Sequence, residues 1–76
     1  MSIYLTEREL QVLNLLASGY TNKEISAKLN ISVHTTKAHL ESIYEKFNID
    51  NRLQAAVMGI KLGLIDTNDI LVSVNE

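Results

Sequence analysis

The sequence of 76 residues predicts an all-α fold of four helices. The chain has no proline and only three glycines, so few residues oppose helix formation. Apolar residues recur at helical spacing, and each apolar segment follows a residue type that caps helices. Hydrophobic residues make up 46% of the chain, which is enough for one small core. We therefore expect one domain over residues 1–65 and a tail, residues 66–76, that the pattern leaves unassigned.

The first two helices each begin with a threonine that is followed three residues later by a glutamate. Thr6 and Glu9 match a capping box, in which each side chain bonds to a free backbone N–H group of the other residue. Thr21 and Glu24 repeat the same arrangement. Gly19 is placed to end the first helix in a left-handed conformation. The apolar residues predicted to face inward are Leu10, Leu13, Leu16 and Ala17, then Ile25 and Leu29.

The third helix is predicted to begin after the cap Ser32 and to end at Asn48. Its inward stripe is predicted to contain Val33, Thr36, Leu40, Ile43, Tyr44 and Phe47. Only Asn30 and Ile31 separate the second helix from Ser32. Two helices joined by so short a turn cross steeply, which is the helix-turn-helix arrangement.

The fourth helix is predicted to begin at Asn51, which forms a box-like pair with Gln54, and to end near Gly63. One of its apolar stripes is expected to join the core, namely Leu53, Ala56 and Ile60. The opposite stripe is expected to hold two copies together as a two-fold dimer, through Ala55, Met58, Gly59 and Leu62. The alternative is that the C-terminal segment covers this stripe with Ile65, Ile70, Leu71 and Val72.

Composition excludes several classes of function. The chain has no cysteine, so it forms neither disulfides nor thiolate metal sites. His34 and His39 lie five positions apart and do not share a helix face, so we expect no metal site. We also expect no cofactor and no catalytic activity, since neither a catalytic triad nor a glycine-rich phosphate loop occurs. No apolar run approaches the roughly 18 residues of a membrane span, and we expect a cytoplasmic location.

The net charge of −2 is uncommon for a nucleic-acid-binding protein. The charges are unevenly placed, because residues 20–52 carry five bases and four acids. This middle segment is therefore the least acidic part of the chain.

Several motifs together resemble the DNA-binding domain of the LuxR family of bacterial transcription regulators. They are "LTERE", "LASGYTNKEI", "LNIS", "TTKAH" and the run R-x-Q-A-A-V that begins at Arg52. The resemblance covers residues 5–65 and implies four helices, the third (about 33–47) in the DNA major groove and the fourth (about 52–62) pairing two subunits. It implies double-stranded DNA and a second copy of the chain as partners. RNA polymerase and an upstream sensor or receiver domain are the further partners that it implies.

The polar face of the third helix suits base recognition. The methyl groups of Thr35 and Ala38 suit contact with thymine, Lys37 suits guanine or phosphate, and Glu41 suits the amino group of cytosine. Backbone N–H groups at the starts of the second and third helices suit phosphate. The residues predicted to contact DNA are Thr21, Asn22, Lys23, Ser32, His34, Thr35, Lys37, Ala38, His39, Glu41 and Lys46.

The sequence departs from the family pattern at four positions. Thr36 replaces a usual valine, and Phe47 replaces a usual leucine. Glu41 and Glu45 lie on the outward face, where relatives often carry basic or neutral polar residues. One alternative is therefore a protein-interaction module that keeps the fold and binds DNA weakly or not at all. A promoter-binding domain of a sigma factor is the other alternative, although such domains are normally longer and more basic.

Overall fold

The computed structural model describes residues 4–65, and this range folds into α-helices without a strand. The helices are α1 (Glu7–Ala17), α2 (Asn22–Leu29), α3 (Val33–Phe47) and α4 (Arg52–Lys61). The predicted all-α class and the order of four helices are confirmed. The predicted tail, residues 66–76, lies outside the described residues.

The helices begin where local hydrogen bonds satisfy their first N–H groups. Thr6 accepts a bond from the N–H of Glu9 at 3.1 Å, and the N–H of Thr6 donates to the Glu9 carboxylate at 2.8 Å. Thr21 and Glu24 form the same two bonds at 3.1 and 2.8 Å, so both predicted capping boxes are confirmed. At α4, the bond from the N–H of Gln54 to Asn51 Oδ1 is present at 2.9 Å. Each cap fixes the residue at which its helix starts.

Two asparagines and a glycine end the first three helices with left-handed backbone conformations. Asn30 and Asn48 both have φ of +56°, and Gly19 has φ of +94°. Asparagine adopts this conformation more readily than other residues with a Cβ atom, and glycine has no steric penalty there. Gly19 and Asn48 are the helix ends that the sequence predicts, and Asn30 ends α2 in the same way as Asn48. α4 ends at Lys61, and its predicted stop Gly63 follows with φ of +72°.

The core is formed by buried residues from all four helices, from the segment before α1 and from the segment after α4. They are Leu5, Val12, Leu13, Leu16, Ile25, Leu40, Ile43, Phe47, Ala55 and Ile65. The predicted inward stripe of α3 is confirmed from Thr36 onwards, but Val33 is 40% exposed. Val33 is the first helical residue, and the stripe enters the core only at Thr36, about one turn later.

A buried pair of hydroxyl groups joins α2 to α3. Ser26 Oγ and Thr36 Oγ1 lie 2.7 Å apart, and both residues are buried. Ser26 Oγ also lies 2.7 Å from the backbone carbonyl oxygen of Asn22, and Thr36 Oγ1 lies 3.2 Å from that of the cap residue Ser32. Buried hydroxyls are stable only when they are hydrogen-bonded, so this pair favours one arrangement of α3 against α2.

The prediction for the two faces of α4 is wrong at Leu53, Ala55, Gly59 and Ile60, although Ala56 packs against the core as predicted. Ala55 and Gly59 are buried, whereas Leu53 is 74% exposed and Ile60 is 38% exposed. A Cβ atom on Gly59 would clash with the side chain of Ile65 and lie 3.1 Å from a methyl group of Leu13. The small residues therefore let α4 approach α1 closely within one chain, rather than letting two copies approach each other.

Candidate nucleic-acid interface

The exposed side of α3 carries five adjacent residues that we call the reading arc: His34, Thr35, Lys37, Ala38 and Glu41. Four of them are exposed, and Thr35 is half-buried. Within residues 4–65, the side chains of His34, Lys37 and Glu41 form neither a hydrogen bond nor an ion pair. Ala38 has no side chain beyond Cβ, so an approaching ligand can come close to the helix backbone there. The reading arc thus offers a positively charged donor, Lys37, and a negatively charged acceptor, Glu41, close to the small residue Ala38.

The cap of α3 fixes the start of the reading arc. Ser32 Oγ accepts a bond from the N–H of Thr35 at 3.0 Å and lies 2.9 Å from Thr35 Oγ1, to which it donates. Both hydroxyl groups are therefore held by the turn. The Thr35 hydroxyl keeps its own hydrogen for an outside acceptor.

The start of α2 lies beside the reading arc. A shallow groove of about 230 Å³ runs between them and is lined by Asn22, Lys37, Leu40, Glu41 and Tyr44. The capping box uses the side chain of Thr21 and lowers the pKa of Glu24 through hydrogen bonds from the Thr21 backbone and side chain. The capping box satisfies the N–H of Glu24, whereas the N–H groups of Asn22 and Lys23 form no bond within residues 4–65 and can donate to an anion.

Lys46 lies on another side of α3, where it contacts α1. Its Nζ is 2.7 Å from Glu9 Oε1, and Ser42 Oγ donates to Glu9 Oε2 at 2.5 Å. Burial raises the pKa of Glu9, but hydrogen bonds from Lys46, Ser42 and the backbone of Thr6, with the positive charge of Lys46, lower it to about 2. The carboxylate is therefore charged inside the protein. Because Lys46 serves this internal pair, we do not retain its predicted DNA contact.

The basic residue Arg52 contacts the start of α2, although it is not among the predicted site residues. Its guanidinium donates to the backbone carbonyl of Tyr20 at 2.6 Å and to Asn22 Oδ1 at 2.7 Å. Lys28 lies over the ring of Tyr20, 4.5 Å from its centre. No local pattern indicates that Arg52 contacts Asn22, since the two residues are 30 positions apart in the chain.

Comparison with known proteins identifies the family. Residues 4–59 match the profile of bacterial regulatory proteins of the luxR family, called GerE. The chain belongs to the LuxR family. Its four helices, with α2 and α3 joined by a short turn, are the fold that the resemblance implied.

The LuxR-family relatives are much longer than this chain. YhjB of Escherichia coli K12, named as a candidate HTH-type transcriptional regulator, is 52% identical over 54 residues, which are 71% of this chain and 27% of that protein. The response regulator protein VraR of Staphylococcus aureus NCTC 8325 is 39% identical over 61 residues, or 80% of this chain and 29% of that protein. VraR of Staphylococcus epidermidis gives the same values. The chain thus spans less than a third of each relative.

The predicted dimer residues of this LuxR-family domain need correction. Ala55 and Gly59 are buried in the core of the single chain, so they are not available to a partner. Met58 is half-buried against the core, and only Leu62, at 46% exposed, remains on the surface. The predicted covering residues Ile70, Leu71 and Val72 lie outside the described range, and Ile65 packs into the core.

The remaining predicted contacts are distributed as follows. Thr21, Asn22 and Lys23 lie at the start of α2, with Lys23 exposed and Asn22 half-buried. His39 is half-buried beside the reading arc. Along residues 4–65, no three histidine or acidic side chains are grouped to hold a metal ion, and each helix is too short or too polar to cross a membrane.

Proposed function

We propose that this LuxR-family domain binds specific sites in double-stranded DNA by placing α3 in the major groove. The observation that carries the proposal is the reading arc, whose long polar side chains are exposed and form no bond within residues 4–65. An α-helix fits the major groove, which is about 12 Å wide. Ser26 and Thr36 hold α3 against α2, and Glu9 holds its other end against α1. A helix fixed in this way presents the arc as a rigid surface.

The reading arc combines groups that distinguish base pairs. Lys37 donates to the acceptors of guanine, and Glu41 accepts from the amino group of cytosine. The methyl groups of Thr35 and Ala38 contact thymine methyl groups. Phosphate contacts are assigned to Asn22 and Lys23 at the start of α2, and to His34, His39 and the backbone N–H of Ser32 around the start of α3. Thr21 is not assigned one, because its N–H and its hydroxyl group both bond to Glu24 in the capping box.

A second part of the proposal is that two copies associate through the exposed apolar face of α4. Its residues are Leu53, Val57 and Ile60, which are 74%, 46% and 38% exposed. A shallow groove of about 290 Å³, lined mostly by apolar atoms, adjoins this face beside Ile49 and Met58. Exposed apolar faces of this kind commonly mark protein interfaces. A two-fold dimer would prefer inverted DNA repeats whose half-sites lie about 10–10.5 base pairs apart, centre to centre.

One substitution on this face and one outside it provide a matched test of this association. Leu53→Glu should abolish pairing on a two-site duplex, because it places a charge in an apolar contact. Gln11→Glu adds the same charge at an exposed position of α1, outside the face and its groove, and should leave pairing intact. Analytical ultracentrifugation with one-site and two-site duplexes measures the difference. Equal pairing by both variants would contradict association through this face.

The similarity to response regulators supports a further part of the proposal. The domain would act as the effector part of a longer regulator, in which a receiver or sensor part controls its access to DNA. RNA polymerase would then be the partner on which the bound regulator acts.

The proposal is tested by selecting binding sequences from a random duplex pool and measuring the affinity for a selected and a scrambled duplex. We expect a clear preference for the selected duplex, and binding to both that weakens steeply with added salt as counterions are released. Failure to enrich any sequence, with affinity no greater than that of an acidic control protein, would contradict DNA binding. It would favour the protein-interaction module instead.

A further inference from the structure

Arg52 links the start of α4 to the start of α2. Its Nη2 donates to the backbone carbonyl of Tyr20 at 2.6 Å, and its Nη1 donates to Asn22 Oδ1 at 2.7 Å. Tyr20 and Asn22 flank the cap of α2, so the guanidinium holds the segment through which the chain enters this helix. Both short bonds are charge-assisted, which makes them stronger than bonds between neutral groups.

This contact decides which way the amide of Asn22 faces. A guanidinium has N–H donors and no acceptor, so the Asn22 atom bound to it is the oxygen. The amide is planar, and its NH₂ group therefore lies on the other side, away from Arg52. Asn22 lines the groove that it shares with Lys37 and Glu41, and its Nδ2 has no acceptor within residues 4–65. The NH₂ group of Asn22 is therefore the part of this side chain that remains free to donate to a ligand in the groove.

We infer that Arg52 is a positioning residue for DNA binding, which orients Asn22 so that its NH₂ group donates to a backbone phosphate beside the reading arc. This inference rests on the proposed function. A phosphate oxygen only accepts hydrogen bonds, so an amide turned the other way would present its own oxygen and repel it. Two nitrogens of Arg52 are already bound within the chain, so the guanidinium acts through Asn22 rather than as the principal phosphate ligand.

Asn22→Asp separates the positioning role from a purely structural one. Aspartate keeps an acceptor for Arg52 and places a negative charge in the first turn of α2, where it is favourable, so the fold should be as stable as before. It replaces the NH₂ group with a second oxygen, so affinity for the selected duplex should fall about tenfold or more. Asn51→Asp is the matched control, because it makes the same change beside Arg52 and keeps the cap of α4. That control should change affinity less than about twofold.

A double-mutant cycle then tests whether Arg52 acts through Asn22. Arg52→Gln should lower affinity about five- to tenfold in the natural chain and less than twofold when Asn22 is already alanine. Circular dichroism and urea unfolding confirm that each variant is folded at the temperature of the binding measurement.

The outcomes separate this inference from the proposed function. If the natural chain prefers the selected duplex and Asn22→Asp binds as well as Asn51→Asp, the inference is overturned and the proposed function stands. Equal losses from Arg52→Gln in both backgrounds would also overturn it, because Arg52 would then act independently of Asn22. If the natural chain shows no preference for any duplex, both the inference and the proposed function are overturned.

Discussion

Two lysines on α3 have opposite surroundings. Lys37 is exposed and forms no bond with another side chain in the described part of the protein, whereas Lys46 is bonded to the buried carboxylate of Glu9 at 2.7 Å. Both lie on the same helix, nine positions apart, and both were predicted to contact DNA. A charged residue on a helix surface can therefore have either of two uses. Lys46 fixes α3 against α1, whereas Lys37 remains available to a ligand.

The contrast extends to the two halves of α3. The half that begins at Ser32 carries the reading arc and is bonded to α2 through Thr36. The other half donates from Ser42 and Lys46 to α1 and buries Phe47. A helix that is bound on both sides can present its remaining face without moving.

Lys46→Met should lower the free energy of unfolding by about 2–3 kcal/mol. The substitution leaves the buried carboxylate of Glu9 without its counter-charge, although water partly reaches the site because the Lys46 side chain is 33% exposed. Urea unfolding at neutral pH measures the change. Lys37→Met is the matched control and should change stability by no more than about 0.5 kcal/mol. Equal losses in the two variants would remove the distinction between the lysines.

Acid should lower the free energy of unfolding because it protonates the Glu9 carboxylate. The pKa of Glu9 is lowered from 4.5 to about 2, so the charged carboxylate stabilises the fold above its ordinary pKa. That stabilisation is lost as the pH falls towards 2, and the loss is about 2–3 kcal/mol for a shift of this size. Urea unfolding of the natural chain and of Glu9→Gln between about pH 5 and pH 2 measures it. The variant lacks this carboxylate, so parallel pH profiles would contradict the assignment.

Lys37→Ala should leave the fold intact and weaken binding to the selected duplex. If Lys37 contacts a base edge, the loss is about 1–3 kcal/mol and falls mainly on the selected sequence. If it contacts phosphate, the loss is similar for selected and scrambled duplexes. Fluorescence anisotropy with both duplexes distinguishes the two cases. Unchanged affinity for both would remove Lys37 from the binding surface.

Much of the fold could be predicted from the sequence because its signals are local. Thr6 caps through a residue three positions away, and Asn30 ends α2 through its own backbone conformation. The faces of α4 could not be predicted in this way. Leu53 looks more suited to a core than Gly59 does, yet the close approach of α1 leaves room only for the smaller residue. Such an approach depends on the packing of the whole chain.

The candidate site also has one part that could be predicted from local sequence patterns and another part that could not. The arc from His34 to Glu41 follows from helical geometry alone, and the structure shows its residues together on one side of α3. Lys46 bonds to a residue 37 positions away in the chain, and Arg52 bonds to residues 30 and 32 positions away, so no local pattern reveals these partners. Whether a charged side chain is available to a ligand therefore depends on tertiary contacts that a helical wheel omits.

Glu41→Lys should change DNA affinity only severalfold, and the direction of the change shows what Glu41 does in the reading arc. If Glu41 accepts a bond from cytosine, the variant loses preference for the selected duplex and gains severalfold affinity for a scrambled one. If Glu41 only repels the DNA backbone, affinity rises for both duplexes and depends more steeply on salt. Binding at two salt concentrations separates these cases. Unchanged affinity for both duplexes, with the fold confirmed by circular dichroism, would place DNA away from Glu41.

If the proposed function is right, the half of α3 that carries the reading arc meets DNA and the half bonded to α1 does not. A nuclear magnetic resonance titration of the natural chain with a selected duplex tests this residue by residue. We expect large shifts in the amide signals of Asn22, His34, Lys37 and Ala38, with small shifts at Ser42 and Lys46. A scrambled duplex at higher salt should leave the signals of the reading arc almost unchanged. Shifts confined to α4 or to the Glu9–Lys46 pair, with none on the reading arc, would show that DNA does not bind to this side of α3.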